Sequence, residues 1–64
     1  MIRKMLQNLL NKLENFNIYL YDTGRFLYLM DTTTEKKLFL IRSNDKNATE
    51  KLTKFCEYYL STKN

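Results

Sequence analysis

A single glycine, Gly24, limits where this chain can turn sharply, because the sequence contains no proline. It lies in the segment DTGR at 22–25, the strongest turn signal in the chain. The segment IYLY at 18–21 precedes this turn, and FLYLM at 26–30 follows it. Aromatic and aliphatic residues on both sides of a glycine turn are typical of a β-hairpin. We therefore predict a hairpin centred on Gly24.

The N-terminal segment has the periodicity of an amphipathic helix, which we predict over 2–15. Its apolar residues recur at spacings of three and four, so that they form one stripe on a helix. The stripe consists of Ile2, Met5, Leu6, Leu9, Leu10, Leu13 and Phe16. Asn15 and Asn17 flank the predicted end, and asparagine tolerates the left-handed conformation that closes helices.

A second helix is predicted over 47–61. Its apolar stripe is made of Ala48, Leu52, Phe55, Cys56 and Tyr59, with Leu60 at the edge. Asn47, with Glu50 three positions later, has the form of a capping box, which marks the start of a helix. We expect both stripes to face the core.

Three strands are predicted between the helices, at 18–22, 25–31 and 36–42. The short connections between them favour antiparallel neighbours in a meander. The predicted fold class is therefore α+β: helix, three-stranded antiparallel meander, helix, with both helices on one face of the sheet. A chain of 64 residues forms one small domain, which we assign to 1–64.

The strand register decides which side chains share a face. A two-residue loop at Thr23-Gly24, followed by a four-residue second loop, places aliphatic residues on one face: Ile18, Leu20, Leu27, Leu29, Leu38 and Leu40. The other face then carries Tyr19, Tyr21, Phe26, Tyr28, Met30, Lys37, Phe39 and Ile41. A three-residue loop with Gly24 in a bulge is the alternative. It would mix the two sets, because a one-residue slip exchanges the faces.

Composition argues against several classes of function. The chain has no histidine, and Cys56 is its only cysteine, so the sequence offers no disulfide, no zinc cluster and no nucleophile–base pair. We expect a protein that is not an enzyme and uses no metal or cofactor, with Cys56 as a small buried hydrophobe. A lone thiol favours a reducing, cytoplasmic location, and no apolar run is long enough for a membrane span.

The aromatic face is the candidate binding site, because it exceeds the apolar surface that a small monomer usually exposes. Tyrosine-rich surfaces are typical of recognition sites. The predicted partner-binding residues are Tyr19, Tyr21, Arg25, Phe26, Tyr28, Lys37 and Phe39. A structural homodimer that covers this face with a second copy is an open alternative, since a small core favours oligomerisation.

Nucleic acid is the other alternative, because the net charge is +4 and aromatic residues can stack on bases. The candidate contacts are Arg25, Lys37, Arg42, Lys46, Lys51 and Lys54. Acidic residues are interleaved with these along the chain, at Asp22, Glu35 and Glu50. No run of basic residues marks an electrostatic footprint.

The order of the elements resembles that of the double-stranded-RNA-binding domain. That family begins its second helix with a glycine-rich segment paired with lysines, and here the corresponding segment is SNDKN at 43–47. Only Lys46, Lys51 and Lys54 match the phosphate-contacting lysines. The resemblance therefore covers topology more than functional residues.

The whole chain also resembles small phage-encoded inhibitors, including anti-CRISPR proteins that block Cas9. The resemblance rests on the amphipathic first helix, the strand that ends near Gly24, the polar break, and the final helix with TEKLTKF at 49–55. It implies a phage or mobile-element inhibitor of a host protein, such as a CRISPR effector. Members that mimic DNA are acidic and this chain is basic, so the resemblance implies binding to an acidic or apolar protein surface.

Overall fold

The computed structural model describes residues 2–63, with side chains from Lys4 onward, and confirms the predicted α+β fold. The three strands form an antiparallel sheet in the order β1-β2-β3, which is a meander. The elements are α1 (Ile2–Glu14), β1 (Ile18–Asp22), β2 (Phe26–Asp31), β3 (Lys36–Arg42) and α2 (Ala48–Thr62). No predicted boundary is wrong by more than one residue.

Both helices pack on the same face of the sheet, as predicted. Five fully buried side chains from α1, β1, β2 and α2 form one cluster: Leu13, Ile18, Leu29, Leu52 and Cys56. Half-buried residues surround this cluster: Leu6, Leu9, Leu10, Leu20, Leu38, Phe39, Phe55, Tyr59 and Leu60. Because buried apolar area is the main source of stability in a domain of this size, this single cluster holds the layers together.

The first helix uses part of the predicted stripe. Leu13 is fully buried, whereas Met5 is 50% exposed and Phe16 is 41% exposed. The side chain of Ile2, also predicted on the stripe, lies outside the described residues. The buried part of the stripe is therefore narrower than the periodicity indicates, and Met5 and Phe16 remain partly at the surface.

The end of α1 is fastened to the second hairpin. Asn17 adopts a φ of 64°, the left-handed conformation expected at this end. Its carbonyl accepts hydrogen bonds from the Thr32 amide at 2.9 Å and from the Thr32 hydroxyl at 3.0 Å. These bonds fix the start of β1 relative to the loop that joins β2 to β3.

The loop of the first hairpin consists of Gly24 and Arg25, whereas the predicted loop was Thr23-Gly24. The Thr23 amide donates to the Phe26 carbonyl at 2.9 Å, and the Phe26 amide donates to the Thr23 hydroxyl at 3.0 Å, so Thr23 and Phe26 close the hairpin around these two residues. Gly24 has a φ of 92°. A glycine with positive φ at the first central position is typical of a type II′ turn. The Asp22 carboxylate accepts from the Gly24 amide at 2.8 Å and stabilises this conformation.

The register between β1 and β2 consequently differs from the prediction by two residues. Leu20 pairs with Leu29, whereas the prediction paired it with Leu27. Side chains alternate with a period of two, so a shift of two residues leaves each side chain on its predicted face. The aromatic residues of β1 and β2 therefore share one face, although their neighbours differ from those predicted.

The second hairpin has the predicted four-residue loop, because Asp31 pairs with Lys36. The Asp31 carbonyl accepts from the Glu35 amide at 2.7 Å, and its carboxylate accepts from the Thr33 amide at 2.8 Å. Glu35 closes the loop with a φ of 60°, a conformation that is disfavoured for residues with a Cβ atom.

A β-bulge at Leu38 shifts the register of the rest of β3. Lys37 pairs with Met30, but the next pair joins Leu29 to Phe39, so Leu38 has no partner on β2. One extra residue in one strand moves all later side chains of that strand to the opposite face.

The predicted faces of Phe39, Leu40 and Ile41 are wrong because of this bulge. Phe39 and Ile41 lie on the helix side, and the Phe39 ring lies 5.1 Å from the Phe55 ring of α2, measured between centroids. Leu40 lies on the opposite face and is 56% exposed. Leu38 also packs against the core, so two consecutive large side chains, both half-buried, pack on the core side of the sheet.

The second helix begins without the predicted capping box. Asn47 is the N-cap residue, but its side chain makes no cap hydrogen bond. Asp45 supplies the local hydrogen bonds instead, accepting from the Asn47 amide at 2.7 Å and from Lys51 Nζ at 3.1 Å. These bonds lower the pKa of Asp45, the Asn47 amide having the larger effect. Ala48 follows as the first buried residue of the predicted stripe.

Replacing Gly24 by alanine will lower the free energy of unfolding by about 1–2 kcal/mol, because L-residues are disfavoured at positive φ. A Cβ atom at this position would meet no atom within 4 Å, so the backbone alone accounts for the loss. D-alanine prefers positive φ and, introduced by chemical synthesis, will leave the stability unchanged or raise it. Urea denaturation followed by circular dichroism compares the two. Equal destabilisation by both residues would contradict the turn.

The neighbouring substitutions Phe39→Ala and Leu40→Ala test the bulge. Phe39→Ala will lower the free energy of unfolding by about 2 kcal/mol, because it removes a ring from the helix side of the sheet. Leu40→Ala will cost less than about 1 kcal/mol, because Leu40 is exposed. Thermal unfolding measures both, and a larger loss for Leu40→Ala would show that β3 has no bulge.

Candidate functional site: the outer face of the sheet

The outer face of the sheet, which points away from the helices, is the candidate site. Its side chains come from all three strands: Tyr19, Tyr21, Phe26, Tyr28, Met30, Lys37, Leu40 and Arg42. Tyr19, Tyr21 and Phe26 are each more than a third exposed. Together with Leu40 they form a contiguous aromatic and apolar surface, the kind that marks interaction sites.

Most of the predicted partner-binding residues lie on or beside this outer face. On it are Tyr19, Tyr21, Phe26, Tyr28 and Lys37. Arg25 lies at its edge in the first turn, whereas Phe39 lies on the helix side. Leu40 was assigned to the core by the sequence and instead belongs to the outer face. The one signal for this change is the run LFLI at 38–41, which breaks the alternation of the strand.

Tyr28 is the centre of the outer face. Its ring stacks on the Tyr21 ring of β1, with centroids 5.2 Å apart and planes inclined by 18°. From the β3 side, Lys37 Nζ lies 4.9 Å from the Tyr28 centroid, a cation–π distance. Because both neighbouring strands contact this ring, Tyr28 has little free ring face. The rings of Tyr19 and Phe26 lie in the rows on either side of it, so they are separated by the Tyr28 row.

The outer face carries no acidic side chain. The two acidic residues of the strands, Asp22 and Asp31, have the same strand parity as Leu20 and Leu29 and therefore lie on the helix side. Both carboxylates accept hydrogen bonds from backbone amides of the adjacent loops. Lys36 pairs with Asp31 and lies on the helix side too, so the acids of the strands are confined to that face whereas basic residues lie on both faces.

The cations of the outer face have no acidic partner within residues 4–63. Among residues 4–63, whose side chains the structure describes, the two ion pairs are Lys51–Asp45 at 3.1 Å and Lys54–Glu50 at 3.8 Å, and both involve α2. Lys37 contacts Tyr28, and Arg42 is the last residue of β3. The outer face is therefore electropositive as well as aromatic.

The cations predicted for nucleic acid are divided between two layers. Arg25, Lys37 and Arg42 lie on or beside the outer face. The other three lie in or next to α2, which packs on the helix side: Lys46, Lys51 and Lys54. Two of these are paired with acids. The six residues do not form one continuous basic surface.

Cys56 is fully buried in the core, as expected from its position on the α2 stripe. Burial raises the pKa of the thiol from 9.0 to about 11, and the negative charge of Glu57 adds to the effect. A thiol with this pKa remains protonated near neutral pH and is a poor nucleophile.

Neither helix in the described chain has the length and apolar character needed to cross a membrane. Among residues 2–63, no group of three or more histidine, cysteine, aspartate or glutamate side chains is placed to hold a metal ion.

No family model, curated protein or solved structure matches the chain. The resemblances in element order to RNA-binding domains and to phage inhibitors therefore remain predictions. The outer face is interpreted from its own chemistry.

The difference in stability between the wild type and Cys56→Ala will shrink as the pH rises from 8 to 11. The thiol ionises near pH 9 in the unfolded chain and near 11 in the folded chain, so the unfolded state releases its proton first. The stabilisation is present below pH 9 and is lost towards pH 11, by up to about 2–3 kcal/mol. Urea denaturation at each pH measures it. All other ionisable groups are the same in the two proteins, so their effects cancel in the difference. A difference in the free energy of unfolding that does not change with pH would contradict burial of the thiol.

Proposed function

We propose that this protein is a small, non-enzymatic binding protein that uses the outer face of its sheet to contact an acidic surface of a partner protein. The observation that carries the proposal is the composition of this face: aromatic and apolar side chains with basic residues and no acid. Aromatic residues, methionine and arginine are the types enriched in protein interfaces.

A protein partner fits this face better than single-stranded nucleic acid. Binding of unpaired bases depends on aromatic rings whose faces are free for stacking. The central ring, Tyr28, is already contacted by Tyr21 on one side and by Lys37 on the other. The exposed side chain of Leu40 adds an aliphatic contact beside these rings, which suits an apolar position on a protein surface.

The charge of the outer face favours a different protein over a second copy of this chain. A two-fold interface places the same patch on both subunits, so a face that carries Lys37 and Arg42 without an acid would meet a second face of the same charge. Like charges facing each other oppose association, whereas an acidic partner would be attracted and oriented by the same field.

The proposed action is inhibition by occlusion: the bound domain covers a surface that the partner needs for its own activity. The resemblance to small phage-encoded inhibitors supports a host protein, such as a CRISPR effector, as the partner. Lysine and arginine outnumber acidic residues by 11 to 7, which supports contact with an acidic protein surface in preference to DNA mimicry.

The substitution Leu40→Glu will reduce partner capture at least tenfold, because it places a negative charge at an exposed site of the acid-free outer face. Tyr58→Glu is the matched control: Tyr58 is 66% exposed on α2, and this change also removes an apolar side chain and one unit of net charge. The measurement is quantitative affinity purification from a nuclease-treated bacterial lysate, after circular dichroism has confirmed that both variants fold. Proteins retained by the wild type and Tyr58→Glu but lost by Leu40→Glu are the expected result. Equal retention by both variants would refute the proposed face.

A further inference from the structure

We infer that the corner between the first turn and the end of β3 is an oxyanion subsite that receives a carboxylate group of the partner protein. This inference rests on the proposed function and names the chemical group that the partner presents. The corner is a shallow cleft lined by Gly24, Arg25, Phe26, Arg42, Ser43 and Asn44. We call it the arginine corner.

Backbone contacts hold the two sides of the arginine corner together. The Ser43 amide donates to the Arg25 carbonyl at 2.8 Å, and the Ser43 hydroxyl donates to the Gly24 carbonyl at 2.9 Å. Phe26 pairs with Arg42 across the strands. The backbone positions from which both arginine side chains extend are therefore fixed relative to each other, so less ordering is needed when a ligand binds.

The lining of the cleft is complementary to an anion. Arg25 and Arg42 line the same cleft, and no acidic residue lines it. Neither arginine takes part in the ion pairs within residues 4–63. A guanidinium group offers a planar fork of donors that matches the two oxygens of a carboxylate. An oxyanion bound in the cleft could accept hydrogen bonds from either group.

The position of the corner connects it with the aromatic part of the site. Phe26 and Arg42 belong both to the corner and to the outer face, so a ligand can occupy the two together. A phosphate would also satisfy the arginines, but the bases attached to it would find one partly exposed ring beside the corner, Phe26, because the next ring, Tyr28, already contacts Tyr21 and Lys37. The geometry favours an acidic side chain next to apolar residues in a protein segment.

Poly-L-glutamate is a suitable probe for the carboxylate, and a single-stranded oligothymidylate is the probe for phosphate. In spectra of ¹⁵N-labelled protein, poly-L-glutamate will shift the backbone amide signals of Gly24, Ser43 and Asn44 and the side-chain Nε–H signals of Arg25 and Arg42. The shifts will saturate, and signals from α1 will stay in place. Oligothymidylate will bind at least tenfold more weakly at the same signals.

Variants that remove the same net charge distinguish binding at the arginine corner from nonspecific attraction to the positive charge of the whole protein. The double variant Arg25→Gln/Arg42→Gln will weaken poly-L-glutamate binding at least tenfold. The control Lys4→Gln/Lys12→Gln, which removes the same charge from exposed positions on α1, will weaken it less than threefold. The variant Arg25→Lys/Arg42→Lys keeps the charge but lacks the fork, and its affinity will fall between the two.

Three outcomes would overturn the inference. The first is an equal loss of poly-L-glutamate affinity in Arg25→Gln/Arg42→Gln and in Lys4→Gln/Lys12→Gln. The others are unchanged signals at the corner when poly-L-glutamate is added, and tighter binding of oligothymidylate than of poly-L-glutamate there. The inference and the proposed function can fail separately. If poly-L-glutamate does not bind at the corner while Leu40→Glu still abolishes partner capture, the proposed subsite is wrong but the proposed binding face is supported. If the corner binds poly-L-glutamate while Leu40→Glu retains capture, the binding face is wrong.

Discussion

The extra residue at Leu38 determines the composition of both faces of the sheet. Without it, Leu40 would face the helices and Phe39 would face solvent. With it, Leu38 and Phe39 both reach the core, and the Phe39 ring packs on Phe55. A domain of this size has few apolar residues to bury, so placing two consecutive large side chains against the core favours the bulged strand. The exposed position of Leu40 in the candidate site is a consequence of this packing in the core.

The absence of strand acids from the outer face also follows from the strand register. The acidic residues of β1 and β2 occupy positions at the strand ends on the helix side, where their carboxylates bind loop amides. Those hydrogen bonds shape the two turns and also keep negative charge away from the outer face. The features that form the hairpins therefore make the outer face electropositive, although acids and bases alternate along the sequence.

Periodicity and turn chemistry were sufficient to predict the element order, the fold class and the faces of β1 and β2. Gly24 marked the first turn. The predicted loop was displaced by one residue, which changes the strand pairing by two residues and therefore leaves each side chain on its predicted face. The bulge was not predictable in this way, because local propensity does not distinguish LFLI as a regular strand from LFLI as a bulged one. Its position depends on contacts with Phe55, which lies 16 residues after Phe39. The start of α2 was also predicted wrongly in its hydrogen bonds. The Asp45 carboxylate accepts from the Asn47 amide, whereas the Asn47 side chain makes no cap hydrogen bond.

The composition of the outer face also has a consequence for how binding would respond to acidity. Histidine is the side chain whose ordinary pKa lies closest to neutrality, and this chain contains none. The formal charges of the face come from lysine and arginine alone, so the face lacks the residue type that commonly serves as a switch near neutral pH. A change in affinity near neutral pH would then point to ionisable groups of the partner. The pH dependence of the binding affinity would therefore report on the partner.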